Sequence, residues 1–240
     1  MSTAKLLPQR TCIAPGALDT PVHTFLADKR VILASASPRR SEILRQIGLA
    51  PEIIPSTFSE NLPHDSFADD ELGLGAYAVA TASEKALEVY LRLVEQSPED
   101  APDLVIGADT VVLLDHAILE KPGTKAENMR MLLELNGRTH QVATGIVLVI
   151  PCLTSPGYVI KTLLETTTVE FAENPTEVLQ AYVNSEEGLD RAGGYAIQGK
   201  ASVLVRSISG DYSNVVGLPG AALFHWLYEL IANEELDLLS

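Results

Sequence analysis

The sequence contains few cysteines: Cys12 and Cys152 are the two among 240 residues. Two cysteines this far apart exclude the disulfide framework of a small secreted protein, and neither has the spacing of a zinc site. Long apolar runs are also missing, since none approaches the ~18 residues that span a bilayer, and residues 1–25 lack the apolar segment of a secretory signal. We therefore expect a protein of a reducing compartment.

Basic residues are scarce as well, with 17 Lys and Arg against 32 Asp and Glu and a formal net charge of −15. Binding to nucleic acid or to an anionic membrane requires clustered cations, which this composition disfavours. We expect neither a nucleic acid polymer nor a membrane as a partner. A small anion can still bind where a few cations converge in a cleft, because a focused local field outweighs distant, screened charge.

The composition is that of a globular protein, with 46% hydrophobic residues. A chain of this length can build one sizeable core. We expect one compact unit at residues 30–231. It should be preceded by a Pro-rich extension at 1–29, either poorly ordered or a strap over the domain, and followed by a solvated acidic tail at 232–240.

The apolar patterns predict alternating strands and helices without an internal repeat. Strands are predicted at "RVILAS", "PEIIPSTF", "DLVIGADTVVLL" and the run after "NGRTHQV". A turn at residues 151–157 should join that last run to "YVIKTLLETTTVEF" as an antiparallel hairpin. We predict an α/β fold with a mixed, twisted sheet, helices on both faces and a central cleft.

The stretch "VILASASPRRSEILRQIGL", residues 31–49, places two adjacent arginines at the start of a predicted helix. Ser37 is the predicted N-cap, Pro38 occupies the first turn and Gly48 ends the helix. The spacing of the apolar residues predicts that Arg40 and Glu42 turn away from the core.

This stretch has the chemistry of an anion site. The N–H groups of the helix start, the hydroxyls of Ser35 and Ser37 and the guanidinium groups of Arg39 and Arg40 can converge beyond the end of the strand. The alternative is an ordinary capped helix with solvated arginines. The stretch by itself leaves both interpretations open.

Asp109 interrupts a near-continuous apolar strand. A carboxylate in such surroundings is costly unless it is paired, hydrogen-bonded or near a metal, which favours a functional role over a structural one. Lys85 lies in a strongly amphipathic predicted helix, where a lysine ordinarily faces solvent. The small residues Ala82 and Ala86 beside it would nevertheless let a ligand approach.

Several familiar motifs are absent: there is no GxxxxGK[ST] loop, no complete GxGxxG after a strand, no GxSxG and no HExxH. The chain is therefore neither a P-loop NTPase nor a Rossmann dinucleotide-binding enzyme. His140, in "GRTHQVATG", is more typical of a structural histidine at a strand edge than of a catalytic one.

Six segments, "LASASPRRSEIL", "IGADTVV", "LEKP", "NGRTHQVATG", "DRAGGYAIQG" and "NVVGLP", resemble in order and spacing the Maf family of nucleoside triphosphate pyrophosphatases. The resemblance runs from about Arg30 to Ile231. It extends to the Maf-like domain of eukaryotic acetylserotonin methyltransferase-like proteins, although we expect no methyltransferase domain within these 240 residues.

The resemblance implies a Maf/ITPase-like fold and cleavage of a nucleoside triphosphate between its α and β phosphates, which yields a nucleoside monophosphate and pyrophosphate. It also implies a divalent cation, Mg²⁺ or Mn²⁺, as cofactor, a homodimer and a cytoplasmic location.

Attack by water on a phosphoryl centre requires cations around the phosphate oxygens and a base or orienting group for the water. Lys85 and Lys121, with the serines and arginines of residues 35–40, can supply the cations. Asp109 is the candidate base. Glu60, predicted at the end of the second strand, is the candidate partner that holds the metal together with Asp109. Whether Asp109 acts as base or as metal ligand stays open.

Three positions resemble the branch of the family that acts on dTTP and UTP, namely Arg39, Thr110 and Gln198. Two positions depart from the family pattern: Arg191 stands where many members carry lysine, and Ala196 where glycine is common. Arg191 can still bind phosphate, but its planar fork differs from the point charge of a lysine, so its detailed role stays open.

Two other functions are compatible with the fold class. One is a catalytically silent nucleotide-binding regulator linked to cell division or nucleotide sensing, and the other is a small α/β interaction protein. The intact set of Asp109, Glu60, Lys85 and Lys121 argues against the first, and the second leaves Asp109 unexplained. We therefore expect an enzyme.

Overall fold

The computed structural model describes residues 11–60, 62–67 and 72–236. Within them, seven strands form one sheet in the order β2-β1-β3-β5-β6-β7, with β4 also paired to β3. The strands are β1 (Val31–Leu33), β2 (Glu52–Ile53), β3 (Leu104–Leu114), β4 (Ala117–Leu119), β5 (Thr139–Pro151), β6 (Tyr158–Phe171) and β7 (Val205–Ser209). The pairs of β1 with β2 and β3 are parallel and the others antiparallel, so the predicted mixed sheet is confirmed.

Seven α-helices accompany the described part of the sheet. They are α1 (Pro21–Leu26), α2 (Pro38–Gln46), α3 (Ala76–Gln96), α4 (Lys125–Leu135), α5 (Thr176–Asn184), α6 (Tyr212–Val216) and α7 (Gly220–Ala232). Among the described residues, no helix is both long and apolar enough to cross a membrane.

Alternating residues of the central strands bury both faces of the sheet, as the period of two in a strand requires. On one face, Val105 and Val147 pack with Ala82 and Ala86 of α3. On the other face, the strands pack against α1, α2 and α7. This core includes Leu33, Ile106, Ile146, Leu148, Val22, Leu44 and Leu227. The prediction of helices on both faces is confirmed.

Of the predictions for single turns, strands and helix caps, some are confirmed and others are wrong. The hairpin at 151–157 is confirmed, since Pro151 pairs with Tyr158 in antiparallel register. The second strand is much shorter than the predicted "PEIIPSTF", because it ends at Ile53. Ser37 lies at the N-cap of α2 as predicted, but its side chain makes no capping hydrogen bond.

The two ends of the described chain pack on the core. Val22 and Leu26 are buried in it, so residues 11–29 have the form of the strap rather than of a poorly ordered extension, and residues 1–10 lie outside the described residues. In the predicted tail, residues 232–234 are exposed, but the prediction of a solvated tail is wrong at Leu236, which is buried, and Glu235 pairs with Lys161. Residues 237–240 lie outside the described residues.

One edge of β3 contains a gap in strand pairing. Along this edge β1 pairs with residues 104–106 and β4 with residues 112–114, while β5 occupies the opposite edge. The register directs the carboxyl ends of both β1 and β4 toward the gap. Asp109 and Thr110 lie in the middle of it. Open α/β sheets typically bind ligands at such a place, where neighbouring chain segments diverge.

Candidate active site

A cleft of about 510 Å³ opens over this gap. Its walls come from the turn between β1 and α2, the loop after β2, the loop before β7 and the turn after α6. All of the residues singled out in the sequence line it: Ser35, Ser37, Arg39, Arg40, Glu60, Lys85, Asp109, Thr110, Lys121, Arg191 and Gln198. These residues, from Ser35 to Gln198, thus come from distant segments of the chain and meet at one site.

Two glycines let α3 approach the sheet closely beside Asp109. A Cβ on Gly107 would come within 2.5 Å of the Ala82 carbonyl oxygen, and a Cβ on Gly145 within 2.5 Å of the Val79 amide nitrogen. Gly107 shares a face of β3 with Asp109, and Gly145 pairs with Asp109 across the sheet. This close packing brings the next turn of α3 over the Asp109 carboxylate.

Lys85 is carried by that turn and joins two carboxylates. Its Nζ lies 2.7 Å from Asp109 Oδ1 and 2.7 Å from Glu60 Oε1. The expectation that a lysine at this position faces solvent is wrong, because Lys85 is 8% exposed. Glu60 is also contacted by Lys121, whose Nζ lies 3.3 Å from Glu60 Oε2. Glu60 lies seven residues beyond the end of β2 rather than at the strand's end, which corrects that prediction.

The two carboxylates differ in electrostatic environment. Burial raises the pKa of Asp109 above its ordinary range, against the opposing charges of Lys85 and Arg40. Burial also acts to raise the pKa of Glu60, but Lys85 and Lys121 outweigh it and the pKa of Glu60 is lowered. A buried carboxyl whose pKa is raised beside one whose pKa is lowered is an arrangement typical of acid–base sites.

Arg40 is turned into the cleft and not away from the core as predicted. Its Nε donates to the Gly217 carbonyl, its Nη1 to Ser35 Oγ and its Nη2 to Thr110 Oγ1. Ser35 Oγ also accepts from the Ser37 amide. Arg40 therefore connects the turn after β1, the middle of β3 and the turn after α6.

Arg39 and Arg191, in contrast, have hydrogen-bond donors without a partner among the described residues. Within the described part of the chain, the buried Nε of each has no hydrogen-bond partner. Burial and the charges of Arg191 and Arg40 lower the pKa of Arg39 to about 10, so it stays protonated at neutral pH. Two guanidinium groups with unused donors, close enough to repel each other, form a site for an anionic ligand.

Some groups at the site were not singled out from the sequence. The Gly217 carbonyl accepts from Arg40 and also from Thr110, yet the segment "NVVGLP" suggests no site residue by its side chains. Glu88 of α3 accepts from Ser56 Oγ and from the Thr57 amide, and so attaches the loop that leads to Glu60. Both contacts link distant parts of the chain, which local patterns do not reveal.

The carboxylates of the site could serve as ligands of a divalent cation. Among the described residues, no group of three or more His, Cys, Asp or Glu side chains is arranged to hold a metal ion. Mg²⁺, however, is commonly bound by one or two carboxylates together with water and substrate phosphates. Asp109 and Glu60, drawn together by Lys85, fit that requirement.

His140 lies outside the lining of the cleft. It is buried on the central strand β5, so its predicted position at a strand edge is wrong. Its Nε2 lies 2.8 Å from Tyr195 Oη, and its ring packs edge-on against Phe171. Burial lowers the pKa of His140 to about 4. These contacts are those of a structural histidine.

Comparisons with known proteins match most of the chain. A family model described as "Maf-like protein" matches residues 30–230. A dTTP/UTP pyrophosphatase of Schizosaccharomyces pombe is 43% identical over 225 residues, which cover 92% of this chain and 91% of that protein. A dTTP/UTP pyrophosphatase of Exiguobacterium sibiricum is 42% identical over 189 residues, 79% of this chain and 86% of that protein.

A third relative is longer. The human protein named "Probable bifunctional dTTP/UTP pyrophosphatase/methyltransferase protein" is 46% identical over 214 residues. The match covers 88% of this chain and 33% of the human protein.

Proposed function

The chain belongs to the Maf-like protein family, and on this premise we propose that it hydrolyses nucleoside triphosphates, dTTP and UTP above others, to a nucleoside monophosphate and pyrophosphate. The names of the relatives at 42–46% identity support the reaction and its substrates. We assign this activity to residues 30–231.

The observation that carries the proposal is the bridge formed by Lys85 between Asp109 and Glu60 beside a group of arginines. A cleft that only bound an anion would not need two carboxylates on its floor, since these repel phosphate. Carboxylates are needed where water must be activated or a cation held. Their presence beside the arginines therefore favours hydrolysis over binding without turnover.

The chain's residues can be assigned roles from their positions. Arg39 and Arg191 have free donors for the phosphate oxygens, and Lys121, which also lines the cleft, adds a further positive charge. Arg40 has protein partners for all three of its nitrogens, so we assign it to holding Ser35 and Thr110 in place as well as to the local positive field.

Asp109 is proposed to accept the proton of the attacking water. As the water oxygen bonds to the α-phosphorus, the bond from that phosphorus to the α–β bridging oxygen breaks and pyrophosphate leaves. A raised pKa makes a carboxylate a better base, as long as the group is ionised at the working pH. A divalent cation held by Asp109 and Glu60, Mg²⁺ or Mn²⁺, would neutralise charge on the phosphate oxygens.

The decisive experiment incubates the protein with dTTP, UTP, CTP, dATP and GTP, each with Mg²⁺ or Mn²⁺, and measures pyrophosphate and nucleoside monophosphate. We expect both products in equal amounts, fastest from dTTP and UTP. Release of inorganic phosphate and a diphosphate would contradict the assignment of the bond. Tight binding of dTTP without products would favour the silent regulator.

The resemblance to the family also leads us to propose a cytoplasmic homodimer. Sedimentation equilibrium tests the dimer, with a mass of 25.8 kDa expected for one chain and twice that for the pair. The net charge of −15 supports the further proposal that no nucleic acid polymer or anionic membrane is a partner.

A further inference from the structure

Gln198 is carried on a tight turn at the rim of the cleft. The Gly199 amide donates to the Ala196 carbonyl at 3.0 Å, which closes a four-residue turn with Gln198 in its third position. Ile197 is buried in the core beside it, whereas Gln198 is exposed and lines the cleft. The placement of the Gln198 amide therefore depends on how the backbone of this turn is held.

Two side chains from another part of the chain hold the turn at its two ends. Tyr182, on α5, accepts a hydrogen bond from the Ala196 amide at 3.1 Å. Glu187, three residues after α5 ends, accepts one from the Lys200 amide at 2.9 Å through Oε2. These amides lie two residues before and two residues after Gln198.

Tyr182 and Glu187 also act on each other. The Tyr182 hydroxyl is buried, and burial together with the nearby Glu187 carboxylate raises its pKa. The carboxylate favours a hydroxyl orientation in which the proton points to Glu187 and a lone pair to the Ala196 amide. The Glu187 carboxyl lies so close to the turn that a Cβ on Gly199 would come within 2.5 Å of Oε1. The pair thus fixes the turn from one side.

We propose that Tyr182 and Glu187 are positioning residues that fix the 196–199 turn and thereby set the base selectivity exerted through Gln198. This inference rests on the proposed function. Neither side chain is among the residues that line the cleft, so each acts through the backbone and not on substrate. A site that selects a base by hydrogen bonds depends on donors and acceptors held in one place, because a mobile amide can adapt to a different base edge.

The test compares Tyr182→Phe and Glu187→Ala with wild type. The first removes one hydroxyl at nearly constant volume, and the second removes the carboxylate. Glu187→Gln keeps an acceptor for the Lys200 amide and serves as the conservative variant. Tyr90→Phe is the matched control, because Tyr90 is also buried and its hydroxyl donates to the Gly157 carbonyl, in the hairpin away from the cleft.

The measured quantity is the ratio of kcat/KM for dTTP to kcat/KM for CTP. We expect this ratio to fall by at least ~3-fold in Tyr182→Phe and Glu187→Ala and to stay within ~2-fold of wild type in Glu187→Gln and Tyr90→Phe. Inhibition by inorganic tripolyphosphate, which has no base, should stay within ~2-fold of wild type in all four variants. A purely structural role would lower stability or both kcat/KM values together and leave their ratio unchanged.

An unchanged ratio in both Tyr182→Phe and Glu187→Ala would overturn the inference, as would an equal loss in Tyr90→Phe. If Tyr182→Phe does not fold, the ratio measured in Glu187→Ala and Glu187→Gln decides the test, because Glu187 is partly exposed. A wild-type protein that releases pyrophosphate from dTTP and CTP equally well would overturn the inference and leave the reaction standing. A wild-type protein that releases none from any nucleotide would overturn the proposed function itself, and this inference with it.

Discussion

Lys85 Nζ lies 2.7 Å from Asp109 Oδ1, and both side chains are about one-tenth exposed. The same ammonium lies 2.7 Å from Glu60 Oε1. A buried ion pair is weak evidence for stability, because desolvation of two charges offsets much of their attraction. The pair is better explained by function: Lys85 keeps two carboxylates together that would otherwise repel each other.

Asp109→Asn should abolish pyrophosphate release while the protein stays folded and still binds dTTP. The change removes the charge and the basic oxygen at nearly constant volume, and Lys85 keeps Glu60 as a partner. Pyrophosphate assays, circular dichroism and calorimetric titration with dTTP check the three parts. Asp115→Asn, which alters an exposed carboxylate paired with Arg138, is the control and should keep wild-type activity. Activity within about threefold of wild type in Asp109→Asn would remove Asp109 from the mechanism.

The pH dependence of kcat/KM should report the raised pKa of Asp109. A base must be ionised, so activity should fall as the pH drops through a value above the ordinary 3.8 of an aspartate. Without the Glu60 charge, Lys85 pairs with Asp109 alone, and Asp109 no longer has a second negative charge near it. Both effects lower the pKa of Asp109. In Glu60→Gln, measured at saturating metal, the acid limb should therefore move to lower pH. A limb that stays in place or moves to higher pH would contradict the assignment of Asp109 as the base.

Arg39→Ala and Lys121→Ala should each lower kcat/KM for dTTP by at least ~10-fold, because each deletes a charge-assisted contact of roughly 1.5 to 3 kcal/mol. Arg45→Ala is the control for the first, since Arg45 is exposed on the same helix. Lys125→Ala is the control for the second, since Lys125 is an exposed partner of Glu186. If both Arg39→Ala and Lys121→Ala keep wild-type kinetics, the arginines after β1 belong to an ordinary capped helix and not to an anion site.

Local patterns predicted the elements that carry the site. The apolar run around Asp109 is long enough to identify a buried strand, and a carboxylate inside it is unusual wherever the strand lies in the sheet. Pro38 marks the start of α2 through its fixed φ and its missing N–H, although the Ser37 side chain makes no capping hydrogen bond. These predictions succeeded because the cause of each feature lies within a few residues of it.

The orientations of Lys85 and Arg40 could not be predicted in this way. Lys85 is buried because α3 packs closely on Gly107, a contact between segments some twenty residues apart. Arg40 turns inward because it donates to the carbonyl of Gly217, 177 residues away. Helical periodicity describes which residues share a face, but the partner of that face is set by tertiary packing.

Glu88→Gln should destabilise the protein in a pH-dependent way. Burial acts to raise the pKa of Glu88, but hydrogen bonds from Arg92, Ser56 and Thr57 outweigh it and lower the pKa to about 2. A carboxyl with a lowered folded-state pKa contributes stability that is fully present above its unfolded value near 4.5 and is lost as the pH falls toward 2. The difference in melting temperature between wild type and Glu88→Gln should thus be largest at pH 6 to 7 and shrink below about pH 4.5.

Glu84→Gln, at an exposed position on the same helix, is the control for Glu88→Gln and should leave the melting temperature unchanged. If the difference in melting temperature between wild type and Glu88→Gln instead grows as the pH falls below 4.5, the Glu88 charge does not stabilise the loop. Because that loop leads to Glu60, kcat/KM should also fall in Glu88→Gln, and a higher metal concentration should be needed for half-maximal activity.

Selectivity for the base should depend on Gln198. Thymine and uracil present an O4 acceptor beside an N3–H donor, and the Gln198 amide offers one donor and one acceptor that can match this edge. Cytosine presents the reverse pattern, with an amino donor beside a ring acceptor. A site that hydrogen-bonds one edge rejects the other because the mismatch leaves polar groups unpaired.

We therefore expect dTTP and UTP to be the best of the common triphosphates, with CTP, dATP and GTP at least ~10-fold lower in kcat/KM. Gln198→Ala should reduce this preference more than it weakens inhibition by tripolyphosphate, because the amide is proposed to contact the base and not the phosphates. Gln198→Glu should improve CTP relative to dTTP, since a carboxylate accepts from the cytosine amino group but cannot donate to O4. Gln180→Glu, at an exposed amide on α5, is the control and should leave the ratio unchanged. A screen in which GTP or 7-methyl-GTP is turned over faster than dTTP and UTP would contradict the role of Gln198 and leave the cleavage between α and β phosphates intact, because that chemistry is assigned to Asp109 and Glu60 and not to Gln198.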